Sequence, residues 1–533
     1  MKKILFIHLI SFFLLELTFS FIQTAEAQII DSVLIGHRAD NTPVKAIGIK
    51  YKETIHSFTL TNNNQFLGAY FSPYKSGKWS NFGQIGMIDI ATGKILWKED
   101  MNSSLKSALC TNYGYLVTSR NGIEFIHHVS GRSIWKKQLY PTYYDKPSNL
   151  LFAYNTTSNK VRAVKINTGE ILWEGHKISP HYGWPIVKFI DDSTRLIVAN
   201  GIYKINIRTG EATEYDAQTG VLDARKNMTQ GLLGLASATF AVISAANIGV
   251  GVYCIPTLQN TITEFHSNLL EHDSLYYFAD RQGVVCLDKN LQPVWEFDLA
   301  DGLCSKSHLE IKGDHLYMTN YGYAVKDNEK RVKRGLPFFT TFNKHTGDLL
   351  QFNRLTSDKK IMQDAAFIGD YAFLLFEDGI AYQNPKDSLV TPRPWDTKEK
   401  GKLTDIVNDT LYAFHPILQT FTPIYFNGLN YPVLTDKHSI HVFNNNLDIT
   451  AEYNPTTIYR PSVKYGDYLC IRGIKEDNQT DCWFIHKSGK PLIHVKMPIN
   501  DVKINDHITI LLSYNQLIFL NMHEISSLEK LSQ

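Results

Sequence analysis

The sequence predicts an all-β protein: a β-propeller of four-stranded antiparallel blades, about eleven to twelve repeat units in all. Three observations carry this. A short phrase that ends a strand, turns through glycine and reaches tryptophan recurs along the chain. β-like apolar runs precede its copies. Aromatic residues make up 12% of the chain, with 28 Tyr, 29 Phe and 8 Trp, and aromatic and β-branched side chains suit a pleated, half-buried surface.

The clearest phrase runs from Met87 through Asp89, Thr92 and Gly93 to Trp97. Residues 162–173 repeat it almost word for word, with Gly169 and Trp173, and residues 125–135 keep Gly131 and Trp135 in register. Further copies carry Gly210, Asp288 with Trp295, Gly347 and, after a weak copy at 442–447, Gly489. The chemistry is structural. A short Asp or Asn side chain caps the turn, glycine supplies the positive φ of a tight hairpin loop, and the following strand delivers a large aromatic to a neighbouring sheet. Each phrase is therefore the last hairpin of a small sheet.

The runs 105–110, 114–119 and 122–127 complete a set of four with 133–136, and similar runs precede Gly283 and Gly379. Four short strands per unit of about 40 residues is the period of a propeller blade. The turn glycines 93, 131, 169 and 210 are spaced by 38, 38 and 41. At that pitch the chain exceeds one ordinary ring, so the reading prefers two rings, regions 28–300 and 301–533. One ring of seven or eight blades with long insertions is the alternative.

Residues 1–27 read as a secretory signal peptide. Lys2 and Lys3 precede an apolar run, and Ala25 and Ala27 place small residues at a cleavage site. No cysteine lies there to take a lipid, so the expectation is a periplasmic or extracellular protein that is not a lipoprotein. With 54 basic and 52 acidic residues, nothing points to nucleic acid. The uncharged stretch 227–263, whose core 231–252 is long enough to span a bilayer, is rich in Ser, Ala, Asn and Gly and reads as a buried pair of propeller strands. No transmembrane segment is expected after cleavage. Six cysteines in 533 residues are too sparse for a disulfide scaffold. Cys470 and Cys482, on strands 468–472 and 481–486, could form a cross-strand disulfide, although two buried thiols are preferred.

The phrase Asp-x-x-Thr-Gly-Lys/Glu-x-x-Trp, seen in full at Asp89–Trp97 and, from its Thr-Gly onward, at Asn167–Trp173, resembles the repeat of quinoprotein propellers, the pyrroloquinoline-quinone-like family. The match covers most of the first half and is poor past residue 390. The resemblance implies that the tryptophan and the turn glycine lock adjacent blades. It also implies one of two branches. The dehydrogenase branch holds quinone and calcium on the ring axis beside vicinal cysteines. This sequence has no adjacent cysteines, no haem-attachment motif and no cluster with calcium spacing. The non-catalytic branch includes a lipid-anchored scaffold of outer-membrane assembly, and this chain lacks that lipid-bearing cysteine.

No catalytic, cofactor-binding or metal-binding residue is assigned. His127 and His128 are read as neighbours on a strand pointing to opposite faces, and His441, His486 and His494 as isolated. Two candidate contact regions remain: the basic insertion 326–334, with Lys330, Arg331, Lys333 and Arg334, and Trp395 in the irregular stretch 384–402, read as exposed. The functional expectation is an exported, non-enzymatic scaffold for a protein partner of the cell envelope or a glycan, binding through loops on a rigid frame. An enzyme acting on a glycan or small molecule at the axis is the alternative. A quinone-dependent dehydrogenase comes third.

Overall fold

The computed structural model describes residues 27–522 except 39–40, 62–63, 120, 156–159, 176–177, 179–183, 327–329, 357–360, 387–388, 475–479 and 506–507. Between 223 and 260 it describes only the strands Phe240–Ile243 and Tyr253–Pro256. Ten four-stranded antiparallel units follow one another along the described residues. We call them blades 1 to 10: 55–102, 106–137, 140–174, 186–215, 270–298, 307–354, 362–394, 403–453, 458–495, and 501–521 completed by Pro43–Tyr51.

The middle strands explain the composition. Leu150–Tyr154 of blade 3 is buried at every position, as is Gly283–Leu287 of blade 5. A strand covered on both faces reads as a continuous apolar run rather than an alternating one. The cores accordingly lie between blades. Phe152 and Ala163 of blade 3 meet Ile197 and Ile205 of blade 4 around Trp184. Leu67, Ala69 and Phe71 of blade 1 meet Leu512 and Leu517 of blade 10.

The tryptophans make the joints. Trp135, on the outer strand of blade 2, is 9% exposed and donates from Nε1 to the Ile166 carbonyl of blade 3 at 2.8 Å. Its ring covers the turn at Gly169, where φ is +72° and a Cβ would stand 2.6 Å from Trp135 Cγ. Only glycine fits that contact and that backbone. The same joint recurs from Trp97 to His128 (2.6 Å, over Gly131), from Trp173 to Ile207 (2.9 Å, over Gly210) and from Trp295 to Lys344 (2.9 Å, over Gly347). Asp89 caps its turn by accepting from the Thr92 backbone at 2.9 Å, and Asp288 does so from Asn290 and Gln292. At Gly489 the tryptophan is replaced by Phe421, whose carbonyl approaches the turn.

Phe421 belongs to a hairpin, Leu411–His415 with Thr420–Ile424, inserted after the first strand of blade 8. It fills the gap between blades 8 and 9, with Leu411 and Ala413 in one core and Tyr412 and Phe421 in the next.

Two expectations meet these contacts. Among the described residues the contacts run as one closed series and continue across position 300, where a division into two rings was expected. Trp295 of blade 5 packs with Leu309 and Phe342 of blade 6 across that position. At the other end Ile47–Lys50 pair with Gln516–Phe519, so the last blade takes its outer strand from the N-terminal side. Strand Ala27–Arg38 then bridges blades 9 and 10. Ten blades occur among the described residues, against eleven to twelve expected, because the 38–41 pitch does not persist. The hairpin of blade 6 and the insert in blade 8 use residues without adding blades. Within 227–263, Phe240–Ile243 and Tyr253–Pro256 pair only with each other, as a two-stranded sheet outside the blades; the remainder of 227–260 lies outside the described residues. Cys470 and Cys482 are two buried thiols with Sγ atoms 3.4 Å apart.

Candidate functional site

Each blade begins with its innermost strand, and these strands all run the same way around the axis. Their first residues therefore share one face, here called the leading face. His56, Lys106, Gln363, Thr404, Arg460 and Asp501 all lie within the first three residues of such strands.

A cavity of about 1380 Å³ opens where the series closes, between blades 8, 9, 10, 1 and 2. Its cationic lining residues are Lys106, Arg460, Arg472 and Lys503, and its only carboxylate among the described residues is Asp501, 3.7 Å from Lys503. Arg472 is fixed by donating from Nε to Ser462 Oγ at 2.6 Å and from Nη1 to the Asn500 carbonyl at 3.3 Å. One wall is aromatic: the His56 ring lies 4.7 Å from Trp79 and 5.7 Å from Tyr70. Burial lowers the His56 pKa, partly opposed by Asp501, which favours neutral imidazole. Trp79 sits on the small hairpin Tyr74–Lys75 and Lys78–Trp79, a blade 1 insertion on this face.

Beside the cavity, Asp481 accepts hydrogen bonds from Tyr459 Oη at 2.7 Å and Trp483 Nε1 at 2.9 Å, and its other oxygen pairs with His494 Nε2 at 2.9 Å. Burial alone would raise this carboxyl, but the bonds from His494, Tyr459 and Trp483 outweigh it and hold the group well below the usual carboxylate range.

The basic insertion is a strand pair rather than a loop. His315–Lys326 and Lys330–Asn343 form the longest hairpin of the protein, and its end pairs with Thr261–Thr263. Arg331 ties this end down: it bonds Gln363 of blade 7, pairs with Asp405 of blade 8 at 3.3 Å and lies over the Tyr323 ring at 5.0 Å. Lys330, Lys333 and Arg334 are exposed. The hairpin thus reaches across the leading ends of blades 7 and 8.

Trp395 corrects the expectation of an exposed contact. It is half-buried, donates to the Gly401 carbonyl at 2.8 Å and packs edge-on against His441 and Phe443 of blade 8. It follows the outer strand of blade 7 and, like the repeat tryptophans, packs its ring on the next blade, although its Nε1 donates within its own connection. The motif is not visible there because the turn 444–448 of blade 8 carries Leu447 at φ +63° in place of glycine.

His127 and His128 also differ from expectation. Their rings stack at 4.5 Å, because the strand ends at His127 and His128 already belongs to the turn. No group of three or more His, Cys, Asp or Glu able to hold a metal occurs among the described residues. No described helix is long and apolar enough to cross a membrane. The cavity itself drew no attention in the sequence, because its residues come from five blades and four of its charges sit in no motif.

Ten four-stranded blades among the described residues, four of their joints made by a tryptophan over a turn glycine, define a β-propeller. Residues 74–302 match the pyrroloquinoline-quinone-like repeat model described as outer membrane protein assembly factor BamB. Among solved structures, BamB from Moraxella catarrhalis is 13% identical over 78% of this chain and 99% of its own, with a TM-score of 0.32. The computationally designed Ika8 protein is 11% identical over 89% and 97%, with a TM-score of 0.28. KlHsv2 with loop 6CD replaced by a Gly-Ser linker is 7% identical over 76% and 99%, with a TM-score of 0.24. No curated protein matches the sequence.

Proposed function

We propose that this protein is exported and acts as a non-enzymatic scaffold in the cell envelope, docking a protein partner on its leading face. The observation that carries this is the gathering of non-repeat structure on one face. The Tyr74–Trp79 hairpin, the long hairpin ending at Lys330 and the cavity between them are all additions to, or gaps in, an otherwise regular frame. Rigid repeats with variable structure on one face are how such folds place recognition. The description of the matched family as an assembly factor supports a partner in the envelope.

A photo-crosslinking residue at Lys333 on the leading face, compared with one at Arg208 in an exposed turn at the opposite strand ends, tests this in the native envelope. The expected result is a reproducible protein adduct from position 333 and none from 208. Equal adducts from both, or none from either while the purified protein converts a glycan or small molecule, would overturn the scaffold reading.

A further inference from the structure

We propose that the cavity at the closing seam binds an extended acidic peptide segment, with Arg460 and Arg472 holding its carboxylates. This rests on the scaffold reading and specifies the chemistry of the partner's docking segment.

Arg460 and Arg472 are direct register partners on the adjacent strands Ile458–Tyr465 and Tyr468–Ile474 of blade 9. Side chains directly opposite share a face and stand close together, and like charges so placed repel. Elsewhere an arginine directly opposite its neighbour meets a carboxylate: Arg162, on the third strand of blade 3, lies opposite Glu174 and pairs with it at 2.6 Å. Neither Arg460 nor Arg472 has a carboxylate within ion-pair distance among the described residues, and both line the cavity. Lys106 and Lys503 add to the same field, against Asp501 alone. Arg472 is also preorganised. Its bonds to Ser462 and Asn500 fix the guanidinium and use two of its five donors. A fixed guanidinium beside a second one, with no carboxylate paired to either among the described residues, is an oxyanion site, because each can meet a carboxylate with charge-assisted bonds.

Two features favour a peptide over a small anion. The cavity, about 1380 Å³, exceeds the roughly 300–1,000 Å³ typical of small-ligand pockets. Its walls include the inner strands Ile55–Leu60, Lys106–Cys110 and Asp501–Asn505, each paired on one edge only among the described residues, with Phe66–Phe71, Gly114–Ser119 and Ile508–Ser513 respectively. Their second edges offer backbone donors and acceptors to an extended chain, as in strand addition to a sheet.

The test uses the mature protein and the Arg460→Gln variant, at an exposed position. Fluorescence anisotropy with labelled hexaglutamate, and with hexaglutamine as control, reads binding. Thermal unfolding without peptide reads the repulsion. Hexaglutamate is expected to bind wild type and to lose at least about tenfold in affinity in Arg460→Gln, the loss of one charge-assisted contact. Hexaglutamine should bind neither. Without peptide, Arg460→Gln should melt higher than wild type in low salt, with the gain vanishing near 1 M salt, where the Debye length falls to about 3 Å. Equal binding of the two peptides, no loss in Arg460→Gln, or a lower melting temperature of that variant in low salt would each overturn the proposal. So would displacement of hexaglutamate by equimolar inorganic phosphate, which would mark a small-anion site. None of these results touches the crosslinking from Lys333, so the scaffold reading stands or falls separately.

Discussion

Removing the Trp135 side chain deletes one complete joint between blades. Truncating a buried tryptophan to alanine costs about 3–5 kcal/mol through lost transfer energy and the cavity left behind. The Ile166 carbonyl loses its donor as well, at about 1–3 kcal/mol for a buried acceptor left unpaired. Trp135→Ala is therefore expected to destabilise by about 4–8 kcal/mol, a large share of the roughly 5–15 kcal/mol that holds a domain folded. The joint also makes a reciprocal claim. Gly169→Ala places a Cβ 2.6 Å from Trp135 Cγ at a φ of +72°. The backbone contribution is about 1–2 kcal/mol, and the clash adds to it only while the ring is present. In a Trp135→Ala background Gly169→Ala should thus cost at least about 1 kcal/mol less, a coupling typical of residues in contact. Guanidinium denaturation followed by far-UV circular dichroism measures all four proteins. A loss below about 1 kcal/mol for Trp135→Ala, or the same cost for Gly169→Ala in both backgrounds, would refute the account of how blades are locked.

The other joints and the buried charges give further tests. Trp97→Ala should cost about 3 kcal/mol; a loss under about 1 kcal/mol would mean that Trp97 does not join blades 1 and 2. Arg195 and Asp145 form a bidentate pair, 2% and 1% exposed, between blades 4 and 3. Asp145→Ala should cost about 3–5 kcal/mol by stranding the guanidinium, and Asp145→Ala with Arg195→Met less than that; a double variant worse than the single one in chemical denaturation would contradict this. Because the Asp481 carboxyl is held below its unfolded value of about 3.9, its stabilisation is full above about pH 4 and is lost as pH falls toward the folded value. Melting temperatures between pH 2 and 6 should fall less steeply below pH 4 for Asp481→Asn than for wild type; parallel curves would remove Asp481 from the account. Tyr51 Oη donates to the Gly93 carbonyl at 3.1 Å across the closing seam, so Tyr51→Phe should cost about 1 kcal/mol, and an unchanged denaturation midpoint would show that this bond does not hold the seam.

The local phrases were fully readable because their physics is local. Asp89 caps its own turn, Gly169 takes a φ that other residues resist, and a tryptophan four positions after Gly93, Gly131 and Gly169 lands on the neighbouring blade. From Asp89, Gly93, Trp97 and their repeats, the sequence alone determined an all-β propeller and the residues that join its blades. It did not determine how the series closes. Pro43–Tyr51 and Gln516–Asn521 are separated by almost the whole chain, and no local pattern tells a strand which partner completes its sheet. Nor did it determine Trp395, which has the role of a repeat tryptophan without the repeat, or the cavity. Arg460 and Arg472 are twelve residues apart in the chain and look like two solvated charges on a strand. Only the register of blade 9 sets them face to face, and only closure of the series brings Lys106 and Lys503 to the same space. Turn chemistry is written in consecutive residues, whereas the meeting of distant charges depends on the number of blades, their curvature and where the ends meet.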